Sequence, residues 1–436
     1  MGVVSSINFL KAKKTTSTYS FYCCGPTVYS AVHIGNLRTF LFQDLVNRVS
    51  VLKGRSILFI RNITDVDDKI EGGMLCNKKS LKNFTSDNIK FFQKNCTGLN
   101  LIKPDFEPLI SLYIKNQLSC VFKLIALNLI SNKKKSLYVK IKPYFKYLDK
   151  KNVRFSLTTH FVIWKKKGMG GNVSARPRVF WKNPWTFIGR PSWHIGCSSL
   201  NLSFAQKTLH LHTGGFDLKF PHHKNETFQV ESLAGYVFSA NWLYIGHLET
   251  KGIKMSKSLS NFYTLEDLCK GSVRKQNHLR LFLLKSRYGF NTSFTEKHFE
   301  GYCNKLKAIE GCIELVSYRL GRESFFKKNL LLKGFKGWGL FFQAWKKVQF
   351  NLDFTGLITS LFKTLKRFKN FMKYRSRRYL KSALLALYQT ISLLGLDLQI
   401  KNRRKYTVSV LIKLKHLQSS SRFTLADYIR SVFIHS

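Results

Sequence analysis

The chain has 436 residues, 44% of them hydrophobic and 37 of them Phe, enough apolar material for a sizeable core and two or three domains. Its 73 Lys and Arg stand against 23 Asp and Glu; this +50 charge points to polyanionic partners, although drift toward Lys, Asn and Phe in an AT-rich genome gives part of the same excess. Nine cysteines, an odd number with no disulfide framework, fit a reducing compartment, and no apolar run approaches the ~20 residues that cross a bilayer.

The opening Met1-Gly2-Val3-Val4-Ser5-Ser6 meets the loose myristoylation pattern, which is short enough to arise by chance. Thr18 to Cys23 is rich in Thr and aromatics and reads as a strand ending at Cys24-Gly25-Pro26. From Asn36 the apolar residues Leu37, Phe40, Leu41, Leu45, Val49 and Leu52 keep helical spacing until Gly54. Ser56 to Ile60 is a short buried strand. Strand, helix and strand in that order are a βαβ unit, the start of a parallel, doubly wound sheet.

The next stretch, from about Phe91 to Lys182, carries Lys runs and weak periodicity and reads as an insertion. The α/β pattern resumes near Trp193. Thr208 to His212 is strand-like, Pro221 opens a helix running to about Gly235, and Trp242 to Leu248 is a further strand before a polar turn at Lys251-Gly252. After about Gly301 the pattern is helical. The expected division is a first half of a Rossmann-like catalytic domain (1–90), an inserted domain (91–189), the second catalytic half (190–250), a loop and stem (251–300) and a basic helical domain (301–436).

That last region holds 27 Lys and Arg against 6 Asp and Glu, with no acid between Asp353 and Asp397. Leu361, Phe362, Leu365, Phe368 and Met372 form one apolar stripe. Lys363, Lys366, Arg367, Lys369, Lys373, Arg375, Arg377, Arg378 and Lys381 fill much of the remainder. A solvated helix face normally mixes both signs, so one-signed charge over this length favours a phosphate-backbone surface.

Two short strings carry chemistry. His33-Ile34-Gly35-Asn36 sits where the first strand gives way to its helix, where free N–H groups and the positive dipole end suit phosphate. Alone it is a weak signal. Lys254-Met255-Ser256-Lys257-Ser258 packs cations and hydroxyl donors into one loop able to stabilise charge as pyrophosphate leaves. HIGN near the start and KMSKS about 220 residues later resemble the paired signature of class I aminoacyl-tRNA synthetases.

The surrounding text resembles the cysteinyl-tRNA synthetase family in particular. FYCCGPTVYSAVHIGN, ILFIRNITDVDDKI, RPSWHIGCSSL, GGFDLKFPHHKNE and KMSKSLSNF are similar to its signature blocks, in family order. The resemblance implies an enzyme that activates L-cysteine with ATP and passes it to tRNA(Cys). His33, Asn36, Lys254 and Lys257 would be catalytic, with Mg²⁺ accompanying ATP. Gly35, Gly214, Gly215, Asp217 and Lys257 would hold ATP, and Gly25, Thr64, Trp193 and His212 would line the cysteine pocket.

His222 and Glu226 are one helical turn apart and so share a face. With Cys24 and Cys197 they offer thiolate, imidazole and carboxylate donors, but their spacing is nonlocal and leaves the set open. The resemblance places these four on the family's zinc ligands, one ion per chain. Rejecting serine about 10⁴-fold needs about 5.5 kcal/mol, within reach of a metal–thiolate contact but beyond a hydrophobic pocket. Cys23 is a spectator in this register.

Several positions depart from the family. Asn36 replaces the second histidine of the commonest motif, Thr213 a third glycine, Phe216 a serine, and Gly196 and Lys224 two glutamates. Two alternatives remain: a cysteine ligase with a small amine acceptor, and a catalytically decayed RNA-binding relative. The signature begins by Tyr22, which leaves little room for a transit peptide, so a cytoplasmic, membrane-free monomer is expected.

Overall fold

The computed structural model describes residues 18–133, 136–140, 160–166, 181–182, 188–205, 207–319, 341–371 and 377–398. They form two compact units. One lies within Met1–Lys270 with Tyr288–Phe294, the other within Gly271–Arg287 and Thr295–Ser436.

The first unit opens with β1 (Tyr19–Cys23), α1 (Ile34–Leu52) and β2 (Ile57–Arg61). β1 and β2 run parallel with Tyr22 opposite Ile60, which is the expected βαβ unit. The stripe from Leu37 to Leu52 is buried, and so are Arg38, Asp44 and Arg48, which lie among the apolar residues of that stripe. Asp44 and Arg48 survive burial by pairing with each other at 2.9 Å. α1 starts at Ile34, ahead of the expected Asn36, because His33 is extended and forms its N-cap.

α2 (Asp68–Asn77), α3 (Leu81–Gly98), a short 3-10 turn (Ile110–Tyr113) and α4 (Ile114–Ala126) follow. α3 runs straight through residue 91, where the sequence reading begins the insertion. Next come β3 (Ile130–Lys133), β4 (Ser136–Lys140), β5 (His160–Lys166), β6 (Trp181–Lys182) and β7 (Ile188–Pro191). They make an antiparallel sheet in the order β3-β4-β5-β7-β6. Leu137, Val139, Ile163 and Trp164 pack from it against Val121 and Leu124 of α4. Strands this short show too few alternations to be read as strands from sequence.

α5 (Trp193–Phe204), β8 (Leu211–Gly215), α6 (His222–Ala234) and β9 (Trp242–Ile245) complete the main sheet, in the order β2-β1-β8-β9 and parallel throughout. β8 differs from expectation. It starts at Leu211, not Thr208, and continues through Gly214 and Gly215, which pair with Tyr244 and Ile245 of β9. A Cβ on Gly214 would sit 2.8 Å from Leu218 and 2.9 Å from His223, so glycine serves close packing there and not a turn.

Chain order reverses between β1 and β8: β1 leads to β2 on one side, and the chain later returns to β8 on the other. Ligands in such sheets bind outside the carboxyl ends of the strands at that switch point. Beyond it lies a small sheet of β10 (Leu248–Thr250), β11 (Ile253–Lys254) and β12 (Thr292–Phe294), and then α7 (Leu265–Cys269).

The second unit is helical in its described residues: α8 (Val273–Leu283), α9 (Glu296–Arg319), α10 (Phe342–Asn351), α11 (Phe354–Phe371) and α12 (Arg377–Leu394). Asn277 ties α8 to the end of α12 by reciprocal bonds with the Asp397 backbone at 2.6 and 3.0 Å. In the charged stripe Leu361 and Leu365 are buried, Phe362 is half-buried and Lys363 is exposed. Met372, Lys373 and Arg375 lie outside the described residues, as do the side chains of Lys366, Arg367, Phe368, Lys369, Arg377, Arg378 and Lys381. Among the described residues no helix is long and apolar enough to cross a membrane.

Candidate active site

Cys24 follows the last residue of β1, Cys197 lies in the first turns of α5, and His222 and Glu226 share one face of α6. All four are buried. Their Sγ, imidazole N and carboxylate O atoms lie within 4.8 Å of one another. Cys24 Sγ is 3.6 Å from His222 Nε2 and 3.6 Å from Glu226 Oε1, and those two atoms are 2.7 Å apart.

The electrostatics of this pocket are those of a cation site. Burial pushes the Cys24 thiol well up, whereas a hydrogen bond from Cys24 pulls Cys197 down against its own burial. Burial also opposes the Glu226 carboxylate, but His222 and His212 outweigh it and hold it well below the usual range. Burial would lower His222; Glu226 reverses this and raises it to about 10. Two thiols, a carboxylate and an imidazole gathered away from water are the donor types zinc takes. Cys23 Sγ instead accepts from Thr213 Oγ1 at 3.3 Å, on the opposite face of β1 and outside both donor sets.

A second combination, Cys24, His212, His223 and Glu226, is equally compact. His212 Nε2 meets Glu226 Oε2 at 2.8 Å, and His223 Nε2 lies 3.4 Å from Cys24 Sγ. The stretch from His212 to Glu226, polar and glycine-rich as it is, places its three histidines and its glutamate in the interior.

Around the cluster stand the residues expected to line an amino-acid pocket. Trp193 stacks on His222 at 4.1 Å and His212 on Trp242 at 4.7 Å. Thr64 Oγ1 accepts from Asn62 Nδ2 at 3.0 Å. A Cβ on Gly25 would come 1.6 Å from the Asn62 carbonyl oxygen, so no other residue fits the close approach of these two backbones.

The same unit holds a cleft of about 220 Å³, and His33, Gly35, Asn36, Gly215, Asp217, Lys254 and Lys257 all line it. Gly214 does not; it lies behind the cleft against His223. Asn36 Oδ1 accepts from the His33 backbone N–H at 3.3 Å, and His33 Nδ1 is buried with no partner. Burial, and then Lys257 and Lys254, push His33 down to about 4, so the ring is neutral at pH 7. Lys254 Nζ pairs with Asp217 at 3.0 Å. Lys257 Nζ donates to Ser30 Oγ at 2.6 Å and is lowered to about 8, first by burial and then by Lys69.

Several neighbours have no sequence signal of their own. Asn62 Oδ1 accepts from Tyr22 Oη and from Gly25 N–H, both at 3.1 Å. His194 Nδ1 is 2.9 Å from His222 Nδ1, and burial lowers it to about 3. Arg38 donates to the carbonyls of Gly246 and Phe290 and thereby ties α1 to the floor of the cleft.

Residues 10–304 match the family of tRNA synthetases class I (C) catalytic domain. The cysteine–tRNA ligase of Chlamydia felis is 35% identical over 314 residues, 67% of this chain and 64% of that protein. That of Chlamydia caviae is 32% identical over 337 residues, 72% and 68% of the two. The chain thus spans about two-thirds of the length of these curated relatives. Among solved structures, methionyl-tRNA synthetase of Mycobacterium tuberculosis with methionyl-adenylate superposes with a TM-score of 0.58 at 13% identity, over 87% of this chain and 90% of its own. A LeuRS–tRNA–LeuAMS complex from Agrobacterium radiobacter gives 0.66 at 10% identity, over 87% and 84%. These two speak for the fold alone. The family match covers well over half of the residues, and the chain belongs to the class I tRNA synthetases with the C type of catalytic domain.

Proposed function

We propose that the chain is a cysteine–tRNA ligase. It joins L-cysteine to ATP as cysteinyl-adenylate, releases pyrophosphate, and passes the cysteinyl group to the 3′ end of tRNA(Cys). The observation that carries this reading is the buried set Cys24, Cys197, His222 and Glu226, in the same compact unit as the cleft lined by His33, Lys254 and Lys257.

The four residues would hold one zinc ion. When bound, zinc supplies a soft position at which a thiolate is a far better ligand than the hydroxyl of serine. His194, at the far nitrogen of His222, orients that ring so that Nε2 faces the other donors. Trp193, His212, Thr64 and Gly25 frame the amino acid, and Asp217 suits ribose hydroxyls.

Adenylation needs no side-chain nucleophile. The cysteine carboxylate forms a bond to the α-phosphorus as the bond to the bridging oxygen breaks and pyrophosphate departs with the electron pair. Catalysis is then orientation and charge stabilisation. His33 acts as a neutral imidazole beside Asn36, and Lys254 and Lys257 meet the phosphates that Mg²⁺ accompanies. Gly35 and Gly215, which line the cleft, keep the backbone close to the nucleotide, whereas Gly214 serves packing against His223.

Residues 1–90 and 190–250 would make up the split catalytic domain, 91–189 the insertion, 251–300 the loop and stem, and 301–436 the basic tRNA-binding region. A cytoplasmic monomer completes the reading. Cysteine-dependent ATP–pyrophosphate exchange by the purified chain tests it, with serine as the control and tRNA charging as the second step. Exchange absent with cysteine would overturn the proposal. Discharge of the adenylate by a small amine instead of tRNA would change the acceptor, and tRNA binding without exchange would identify a decayed relative.

A further inference from the structure

Lys69, on the first turn of α2, lies in a stretch that holds three acids, Asp67, Asp68 and Glu71, yet its ammonium group pairs with none of them. Asp67 caps the helix by accepting the Lys69 backbone N–H at 2.9 Å. Asp68 is taken by Arg190 and Lys165, and Glu71 by Arg190 at 2.9 Å. The Lys69 side chain instead lines the nucleotide cleft, with Nζ 4.9 Å from the centre of the Tyr29 ring.

Lys257 reaches the same ring from the KMSKS loop, its Nζ 4.4 Å from the ring centre. Two ammonium groups thus converge on one ring, each inside the ~6 Å over which a ring quadrupole attracts a cation. The loop holding Tyr29 is fixed at its base, where Val28 N–H donates to the Thr64 carbonyl at 3.1 Å. Lys254, the third cation of the cleft, is paired with Asp217. Among the described residues no carboxylate lies within ion-pair distance of Lys69 or Lys257 Nζ, so their mutual repulsion awaits an anion.

We propose that Lys69 is a further phosphate-binding residue of this cleft, contacting the departing pyrophosphate together with Lys257, with Tyr29 as the positioning residue that holds the two ammonium groups apart. The proposal rests on the reading of the cleft as an ATP site. It assigns a role to α2 that neither HIGN nor KMSKS contains: the leaving group is gripped from two separate elements. Lys69 donates hydrogen bonds and moves no proton.

Isothermal titration of the whole chain with inorganic pyrophosphate tests this without requiring turnover. Lys69→Met should weaken pyrophosphate binding about tenfold, the size of one hydrogen bond to a charged group. Lys69→Arg should restore most of the binding. Both variants should keep the wild-type melting temperature, since the side chain is exposed. Tyr29→Phe should bind as the wild type does, whereas Tyr29→Leu should lose affinity and gain nothing from the Lys69→Arg change. In exchange assays Lys69→Met should raise the KM for ATP and lower kcat while leaving the KM for cysteine alone. Wild-type pyrophosphate affinity in the Lys69→Met variant would overturn the proposal, as would a wild-type chain that does not bind pyrophosphate. A chain that binds pyrophosphate through Lys69 but shows no cysteine-dependent exchange would sink the ligase reading and leave this one standing.

Discussion

The backbone N–H of Ile34 donates to the carbonyl of Tyr263 at 2.9 Å. The first residue of α1 is thereby joined to the end of the loop that carries Lys254 and Lys257. An N-terminal helix donor normally left for solvent or ligand is spent on that anchor. Met255, buried in the middle of the loop, holds it a second time through its N–H to the Leu248 carbonyl at 2.8 Å. The loop's two lysines are therefore presented from a strip of backbone pinned on both sides, which is the rigidity that charge stabilisation requires.

If Lys257 meets phosphate as proposed, activity is pH-dependent. Its charged form is needed for phosphate and its folded value is about 8, below the usual lysine range. kcat/KM for ATP should therefore be full below pH 8 and fall as pH rises through it. Lys257→Arg should carry activity to higher pH, and Lys257→Ala should slow adenylation by about 3–4 kcal/mol of barrier, the cost of one preorganised donor. The sign for stability is opposite: the fold disfavours the ammonium, so stability rises between the folded value and that of a free lysine. Lys257→Met should raise the melting temperature at pH 7 and abolish that rise. A pH profile unchanged in Lys257→Arg would place the titrating group elsewhere.

The metal pocket predicts its own stoichiometry. Elemental analysis should find a single zinc per active chain, and His222→Ala should raise the KM for cysteine far more than that for ATP. His194→Phe should weaken metal affinity about 10–100-fold, as loss of the group orienting a ligand does. Active protein free of zinc would remove the proposed discrimination against serine.

Gly25→Ala should be severe. The added Cβ would meet the Asn62 backbone oxygen at 1.6 Å, and backbone cannot swing aside as a side chain can. Overpacking of this kind costs about 1–3 kcal/mol, and the displaced Asn62 would also release Tyr22 and Thr64. Thermal melts and cysteine-dependent exchange should both decline; a stable, active Gly25→Ala protein would show that the two backbones are not held together.

The basic stripe of the second unit predicts a salt dependence. If it tracks tRNA phosphates, each phosphate left unneutralised flattens log affinity against log salt by about 0.7–0.9. Replacing Lys366, Arg367, Lys373 and Arg377 with Gln should reduce the slope by up to about three units and weaken tRNA binding. Pyrophosphate exchange, which needs no tRNA, should persist. Wild-type affinity and slope would return the charge to compositional drift.

Legibility followed the range of the signal. The βαβ start, the helix after Pro221 and the shared face of His222 and Glu226 are local patterns of period two or 3.6, and each is present. The meeting of Cys24, at the end of β1, with Cys197, on α5, is a product of packing between distant elements, to which spacing is blind; only the family resemblance pointed there. Asn62, His194, Tyr29 and Lys69 passed unnoticed because an amide, a histidine, a tyrosine and a lysine are ordinary until their partners are known. Gly214 and Gly215 have the look of a turn, yet both lie in β8, and at Gly214 the Leu218 and His223 side chains leave no room for a Cβ.

The pairing of β1 with β8 also sets a timetable for synthesis. Cys23 and Thr213, neighbours across those strands, are 190 residues apart in the chain. A ribosome adding ~5–20 residues per second needs roughly 10–40 s to cover that distance. Throughout that interval β1 has β2 on one side and an open, apolar edge on the other, the kind of edge that invites pairing with another chain. The antiparallel sheet of β3 to β7, whose strands pair with near neighbours, can close while β1 waits. Crowded polysomes and slow codons before residue 211 should therefore threaten the yield of this protein more than changes to its finished core, and a holding chaperone acting on the first two hundred residues should be its natural remedy.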